Sequence, residues 1–179
     1  MANEYTLQKL QDTQDKAVVK LTATFDGTGQ EDQTRIDVSG LQYSLNTSGI
    51  IMSGNTDTRS LYQTYVTAFI YDVNIANGYL VLEWAGSVGD PGANTTMYTL
   101  HSGQHTVMLD DMRYPATITN PVAEADSANT TGDIRCRTVG ASANDSYTVV
   151  LYMKKDARDY DKGQTADPVA FNRGPAAWS

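Results

Sequence analysis

Residues 16–32, KAVVKLTATFDGTGQED, indicate the fold class, because apolar and polar side chains alternate in the first half and turn residues fill the second. Four apolar residues recur at every second position: Val19, Leu21, Ala23 and Phe25. This period of two predicts a half-buried antiparallel strand, which Asp26-Gly27 ends with turn chemistry. The acids Asp26, Glu31 and Asp32 lack the Asp-x-Asp-x-Asp-Gly spacing of a calcium loop, so the sequence predicts a solvated acidic loop.

Similar short segments, each bounded by turn residues, follow along the chain. With the first strand there are eight or nine of them: residues 16–25, 34–38, 48–52, 61–73, 79–84, 97–100, 106–109, 133–139 and 147–154. Asn77-Gly78 is the strongest hairpin signal in the chain. No long helical pattern competes, so the sequence predicts an all-β protein, an antiparallel β-sandwich of the jelly-roll or another Greek-key kind.

The two ends of the chain differ from this central part. Residues 1–15 are predicted to form an N-terminal arm or a short helix, because Leu7 and Leu10 are three apart and have little other apolar support. Residues 16–155 are predicted to be the β-sandwich domain. Residues 156–179 are charged and then rich in Gly, Pro and Ala, which predicts an extended C-terminal tail.

Composition argues against several classes of protein. A net charge of -8 and a pI near 4.5 disfavour binding to nucleic acid or to an anionic membrane surface. The single cysteine excludes an internal disulfide and a cysteine-based metal site. Residues 1–15 are polar, unlike a signal peptide, and no apolar run reaches the ~18 residues of a membrane span. We therefore expect a protein made in the cytoplasm, with no nucleic-acid or membrane partner.

Few side chains indicate a catalytic or metal-binding site. His101 and His105 lie four apart around a glycine at a strand end, which predicts a polar hairpin turn rather than a metal site. Cys136 shares one face of its predicted strand with Ile134 and Thr138, so we expect a buried thiol. Its neighbours Arg135 and Arg137 should point to the opposite face and pair with acids, within the chain or on a partner. No Gly-x-Ser-x-Gly elbow, phosphate loop or dinucleotide fingerprint occurs, so we expect neither an enzyme nor a cofactor.

Four blocks stand out by order and spacing: residues 18–32, VVKLTATFDGTGQED; residues 80–84, LVLEW; residues 131–140, TGDIRCRTVG; and residues 146–155, SYTVVLYMKK. Together they resemble small virion structural proteins of tailed phages, notably those of marine cyanophage-like viruses. The resemblance covers most of residues 16–155, and the two ends of the chain have no part in it.

The resemblance implies a non-enzymatic virion component, made in the host cytoplasm: a head decoration or cement protein that contacts the major capsid protein or other virion proteins. We expect a homo-oligomer, with a trimer as the working hypothesis. A neck, collar or fibre-attachment component of the tail is the alternative, and a carbohydrate-binding β-sandwich is a third hypothesis. The predicted contact residues lie toward both ends of the chain: Tyr5, Leu7, Leu10, Tyr160, Phe171 and Trp178.

Overall fold

The computed structural model describes eight ranges of the chain: residues 2–13, 16–41, 44–45, 51–52, 63–85, 94–111, 114–115 and 133–156. Thirteen strands occur among them: β1 Glu4–Asp12, β2 Lys16–Thr24, β3 Asp32–Ile36, β4 Ser44–Leu45, β5 Ile51–Met52, β6 Gln63–Asn74, β7 Tyr79–Trp84, β8 Thr95–His101, β9 Gly103–Met108, β10 Asp110–Asp111, β11 Tyr114–Pro115, β12 Ile134–Val139 and β13 Ser146–Asp156. Within these ranges the helical content is one 3-10 turn at Val38–Gly40, and no helix could cross a membrane.

Two large antiparallel sheets form a β-sandwich. One has the strand order β1-β2-β13-β6-β9, and the other has the order β3-β12-β7-β8. Without the edge strand β1, each layer has four strands. Among these eight strands the chain changes layer from β2 to β3, β3 to β6, β6 to β7, β8 to β9, β9 to β12 and β12 to β13. This is the strand order of a jelly roll. The prediction of an all-β antiparallel sandwich is confirmed.

The core lies between the two large sheets and is built by side chains that alternate inward. In β2 the buried positions are every second residue from Ala17 to Ala23, and Phe25 continues the series at 2% exposure. The largest fully buried side chains come from both sheets and from the connections that follow their strands: Trp84, Tyr147, Phe25, Phe69, Leu21, Ile36, Leu41, Ile75, Leu80, Leu82 and Leu100. Each stabilises the fold by about 1.5–3 kcal/mol relative to exposure.

A β-bulge in β6 changes which residues face the core. Tyr152 of β13 pairs with Ala68, but the next residue, Met153, pairs with Val66, so Thr67 is the extra residue. Thr64 and Val66 are therefore buried before the bulge, and Phe69 and Val73 after it. The sequence pattern predicts one uninterrupted face from Tyr65 to Val73, which is correct only for the second half of the strand.

The hairpin predicted at Asn77-Gly78 does not form. These residues connect β6 and β7, which belong to different sheets. A side chain at Gly78 would place its Cβ 1.8 Å from the backbone oxygen of Val139, so glycine is required here for the close approach of two segments.

The turn predicted around His101–His105 is likewise a crossing between sheets, because β8 and β9 lie in different layers. Ser102 stabilises this corner: its hydroxyl donates to the carbonyl of Ile75 and accepts from the Ile75 amide at 3.2 Å. The two crossings, after β6 and after β8, are thus tied to each other.

Residues 4–12 are extended and not helical, so the helix alternative for the N-terminal segment is wrong. The strand β1 pairs with β2 from Glu4↔Thr24 to Asp12↔Ala17, with one irregularity between Lys9 and Gln11. A helix with only two leucines would have too little apolar surface to be stable in water. Pairing with β2 instead satisfies the backbone donors and acceptors of this segment. The sandwich therefore begins at Glu4 rather than at residue 16.

Candidate functional site

The outer face of the five-stranded sheet carries a continuous group of apolar side chains. The register aligns Val18, Tyr152, Ala68 and Met108 across four strands, and the next row pairs Val150 with Ile70. We call these six residues the apolar band: Val18, Ala68, Ile70, Met108, Val150 and Tyr152. They belong to β2, β6, β9 and β13, which are far apart in the chain.

Three members of the apolar band are strongly exposed. Met108 is 67% exposed, Ile70 41% and Tyr152 37%. The outward positions of an antiparallel sheet are normally polar, and large exposed apolar patches on soluble proteins mark interaction sites. The apolar band is therefore the main candidate contact surface among the described residues.

A polar strip borders the apolar band on the same face. One row of the register runs Thr6, Thr22, Thr148, Asp72 and Gln104 across all five strands. The Gln104 amide donates to the Asp72 carboxylate at 2.8 Å. Between this strip and Ile70 lies a shallow depression of about 320 Å³. Neutral hydroxyl and amide groups beside one carboxylate could bind a hydroxyl-rich ligand.

The outer face of the four-stranded sheet is charged instead. Arg135 pairs with Asp32 at 2.7 Å, and Arg137 pairs with Glu83 at 2.9 Å. The prediction that both arginines face away from the buried Cys136 and pair with acids is confirmed, and both acids lie within this chain. The two faces of the sandwich thus differ in chemistry.

Glu31 is buried, so the prediction of a solvated acidic loop is wrong for this residue, although Asp32 is exposed as expected. The Glu31 carboxylate accepts a hydrogen bond from the Tyr147 hydroxyl at 2.7 Å and forms an ion pair with Arg35 Nε at 3.3 Å. Burial raises the pKa of Glu31, and the contacts with Tyr147, Arg35 and Gln33 oppose the shift. Burial also raises the pKa of Tyr147, so its hydroxyl remains a neutral donor.

Arg35 connects this buried acid to the edge of the sandwich. Its Nη2 donates to the carbonyls of Thr6 at 2.8 Å and Thr22 at 3.1 Å. The guanidinium also lies 4.9 Å from the centre of the Tyr5 ring. One side chain therefore joins Glu31, β1 and β2.

We expect the contribution of Glu31 to the stability of the protein to fall as the pH rises through its raised pKa. Above the ordinary value of 4.5, the folded state retains this proton when the unfolded chain has lost it. The part of the free energy of unfolding that comes from Glu31 therefore decreases with pH in this window. Glu31→Gln lacks the titration, so the native protein should lose stability relative to the variant as the pH rises. Urea unfolding over a pH series measures this difference, and a constant difference would contradict the prediction.

The predicted contact residues divide into three groups. Tyr5 is half-buried and packs against the core, with its ring 6.1 Å from that of Phe25 in an edge-on contact. Leu7 and Leu10 are 42% and 54% exposed on β1 and remain available for contact. Tyr160, Phe171 and Trp178 lie outside the described residues.

The histidines and the cysteine have structural surroundings. His101 lies against Tyr79 in one sheet, and His105 lies against Tyr71 in the other, with ring centroids 5.7 and 5.3 Å apart. Cys136 is buried as predicted, and burial raises the pKa of its thiol. In the part of the chain that the structure describes, no three His, Cys, Asp or Glu residues are grouped for metal binding.

Sequence reasoning did not identify the apolar band. Its signal was nevertheless present, because Val18, Ile70, Val150 and Tyr152 are apolar residues in the outward phase of strands that already bury the opposite phase. Such residues mark a second contact face, but only the strand order shows that they are neighbours.

No family model and no curated protein matches the chain. Two similar solved structures are the Family 11 Carbohydrate-Binding Module from Clostridium thermocellum in complex with a beta-1,3-1,4-mixed-linked tetrasaccharide and the same family's module of the cellulosomal cellulase Lic26A-Cel5E of that organism. The first is 10% identical with a TM-score of 0.32, over 86% of this chain and 84% of that one. The second is 11% identical with a TM-score of 0.31, over 86% and 82%.

Proposed function

We propose that this protein is a non-enzymatic virion structural protein, most specifically a head decoration or cement protein that stabilises a capsid through protein–protein contacts. The observation that carries the proposal is the apolar band, which lies outside an already complete core. A sandwich that keeps Met108, Ile70 and Tyr152 in water has a surface suited to another protein. Methionine and tyrosine are enriched in protein interfaces.

The rigidity of this surface also suits a cement protein. The apolar band lies on β-strands whose inner faces are packed, so its backbone loses little conformational freedom when a partner covers it. A cement protein stabilises a capsid through contact area, and many copies would bind, each burying on the order of 1,000 Å² or more. The acidic composition favours solubility before assembly.

The resemblance to tailed-phage virion proteins supplies the particle context for the proposal. Its four blocks fall largely on β2, β7, β12 and β13, which are core strands of the two large sheets. The proposed partners are the major capsid protein or other virion proteins, and the proposed assembly is a homo-oligomer. Copy number distinguishes a head decoration protein from a neck, collar or tail component. Hundreds of copies per particle indicate decoration, and about six or twelve indicate a neck or tail part.

Aspartate at Met108 or Tyr152 is expected to abolish retention on the particle without unfolding the protein. Loss of a central interface contact costs about 2 kcal/mol or more, on the order of 30-fold in affinity. Exposed substitutions change stability by about 0.5 kcal/mol or less. Cryo-electron microscopy of particles assembled with each variant would measure occupancy. Thr24→Asp, on the same face but outside the apolar band, is the matched control and should keep full occupancy.

Particles that retain both aspartate variants at native occupancy would contradict this role for the apolar band. The polar strip provides the competing hypothesis of carbohydrate binding. Binding of the isolated protein to a glycan array, lost in Asp72→Ala and unaffected in Met108→Asp, would favour that hypothesis and overturn the proposal.

A further inference from the structure

Among the residues that the structure describes, the five-stranded sheet ends in an edge with no neighbouring strand, which is a second contact element independent of the apolar band. The strand β1 ends this sheet, and seven of its nine residues are exposed. An edge strand presents unpaired backbone donors and acceptors to any other strand of matching geometry. Pairing from Glu4 to Lys9 is regular, and the bulge lies beyond it.

The contacts of Arg35 establish which backbone groups of β1 face outward. Its Nη2 reaches the carbonyls of both Thr6 and Thr22, at 2.8 and 3.1 Å, and these residues are directly opposite in the register. A single atom can reach both carbonyls only if both point into the space between β1 and β2. Because orientation alternates along an antiparallel strand, the amides and carbonyls of Tyr5, Leu7 and Lys9 point to the free edge.

The side chain that would ordinarily protect this edge is engaged elsewhere. Lysine on an edge strand discourages pairing with another chain. The ammonium of Lys9 instead donates to the carbonyl of Gly40 and lies 3.7 Å from Asp12. Leu7, in the centre of the regular segment, is 42% exposed.

Contacts along its length hold β1 in place. Asn3 accepts from the Asp26 amide at 2.9 Å and donates to the Gly29 carbonyl at 3.2 Å. At the other end the buried Lys155 ammonium donates to the Asp12 carboxylate at 2.5 Å. A strand held in this way loses little freedom on pairing, so this edge is preorganised for strand addition.

We infer that the occupant of this edge is a second copy of the chain, which pairs β1 antiparallel with its own β1 across a two-fold axis centred on Leu7. This register places Leu7 opposite Leu7 and Tyr5 opposite Lys9 of the second copy, with no like charges opposed. A shift of the axis to Gln8 would oppose Glu4 and Asp12, which is unfavourable. The result is a continuous ten-stranded sheet across two subunits.

A cysteine at position 7 tests this register directly. In the proposed dimer the two Leu7 residues form a hydrogen-bonded pair, with Cα atoms about 5.5 Å apart. This distance is within the range of a disulfide. Leu7→Cys should form a covalent dimer under mild oxidation, seen on non-reducing gels. Gln8→Cys is the control, because it would face itself only in the shifted register. The native Cys136 is fully buried and should not interfere.

Analytical ultracentrifugation of the native chain gives a second measurement. The native protein should dimerise with increasing concentration, and Leu7→Lys, which opposes two ammonium groups, should weaken the dimer by about tenfold. A monomer at every concentration, or cross-linking of Gln8→Cys instead of Leu7→Cys, would overturn the inference. Neither result would bear on the apolar band.

Discussion

Replacement of Arg35 by methionine is expected to lower the free energy of unfolding by about 3 kcal/mol, because it leaves the Glu31 carboxylate buried without its cation. Both side chains are almost fully buried, at 7% and 0% exposure. The variant also loses the two hydrogen bonds to Thr6 and Thr22. Methionine keeps the aliphatic stem, so the change isolates the charge and its donors. Urea denaturation monitored by tryptophan fluorescence measures the effect.

Two variants make this prediction specific. Arg135→Met removes an arginine from an ion pair whose acid, Asp32, is 60% exposed, so it should cost at most about 1 kcal/mol. Glu31→Gln combined with Arg35→Met should be less destabilising than the sum of the single changes, since no uncompensated charge remains. Equal effects of Arg35→Met and Arg135→Met would show that the burial of Glu31 has no energetic consequence.

Gly78→Ala is expected to destabilise the protein by about 3 kcal/mol or more, at the upper end of the range for overpacking. The new Cβ would lie 1.8 Å from the Val139 oxygen and 2.8 Å from its carbonyl carbon, and these atoms belong to the backbone. Backbone at the end of β12 cannot rotate away as a flexible side chain can. The crossing between the two sheets would therefore have to move. Thermal or urea unfolding measures the loss.

Gly29→Ala is the matched control for this change. A Cβ at Gly29 would meet no atom within 4 Å, so its effect should stay within about 0.5 kcal/mol. Were Gly78→Ala as mild as Gly29→Ala, the close approach to Val139 would not constrain the crossing.

The strands themselves could be predicted from the sequence. A strand that faces a core on one side and water on the other has a period of two, and this property is local. It identified the inward residues of β2, the burial of Cys136 and the outward direction of Arg135 and Arg137. The bulge in β6 was not predictable, because it depends on how β13 pairs with that strand.

Turn chemistry at Asn77-Gly78 predicted a hairpin, and the structure has a crossing between sheets. Glycine is favoured both in a tight turn and where two backbone segments approach closely, and the Asn-Gly dipeptide alone does not distinguish the two cases. The burial of Glu31 was equally hidden, because its donor Tyr147 lies 116 residues away. A polar loop and a buried polar cluster have similar local composition.

The all-β class, the inward face of most strands and the acidic character of the protein follow from the sequence alone, because strand periodicity and charge are properties of neighbouring residues. Other features depend on which strands become neighbours and are visible only in the folded molecule: the jelly-roll order, the Glu31–Tyr147–Arg35 cluster, the free edge of β1 and the apolar band. Pairing in a sheet joins residues distant in the chain, and the free energy of such pairing depends on the packing of the whole sandwich rather than on any local pattern.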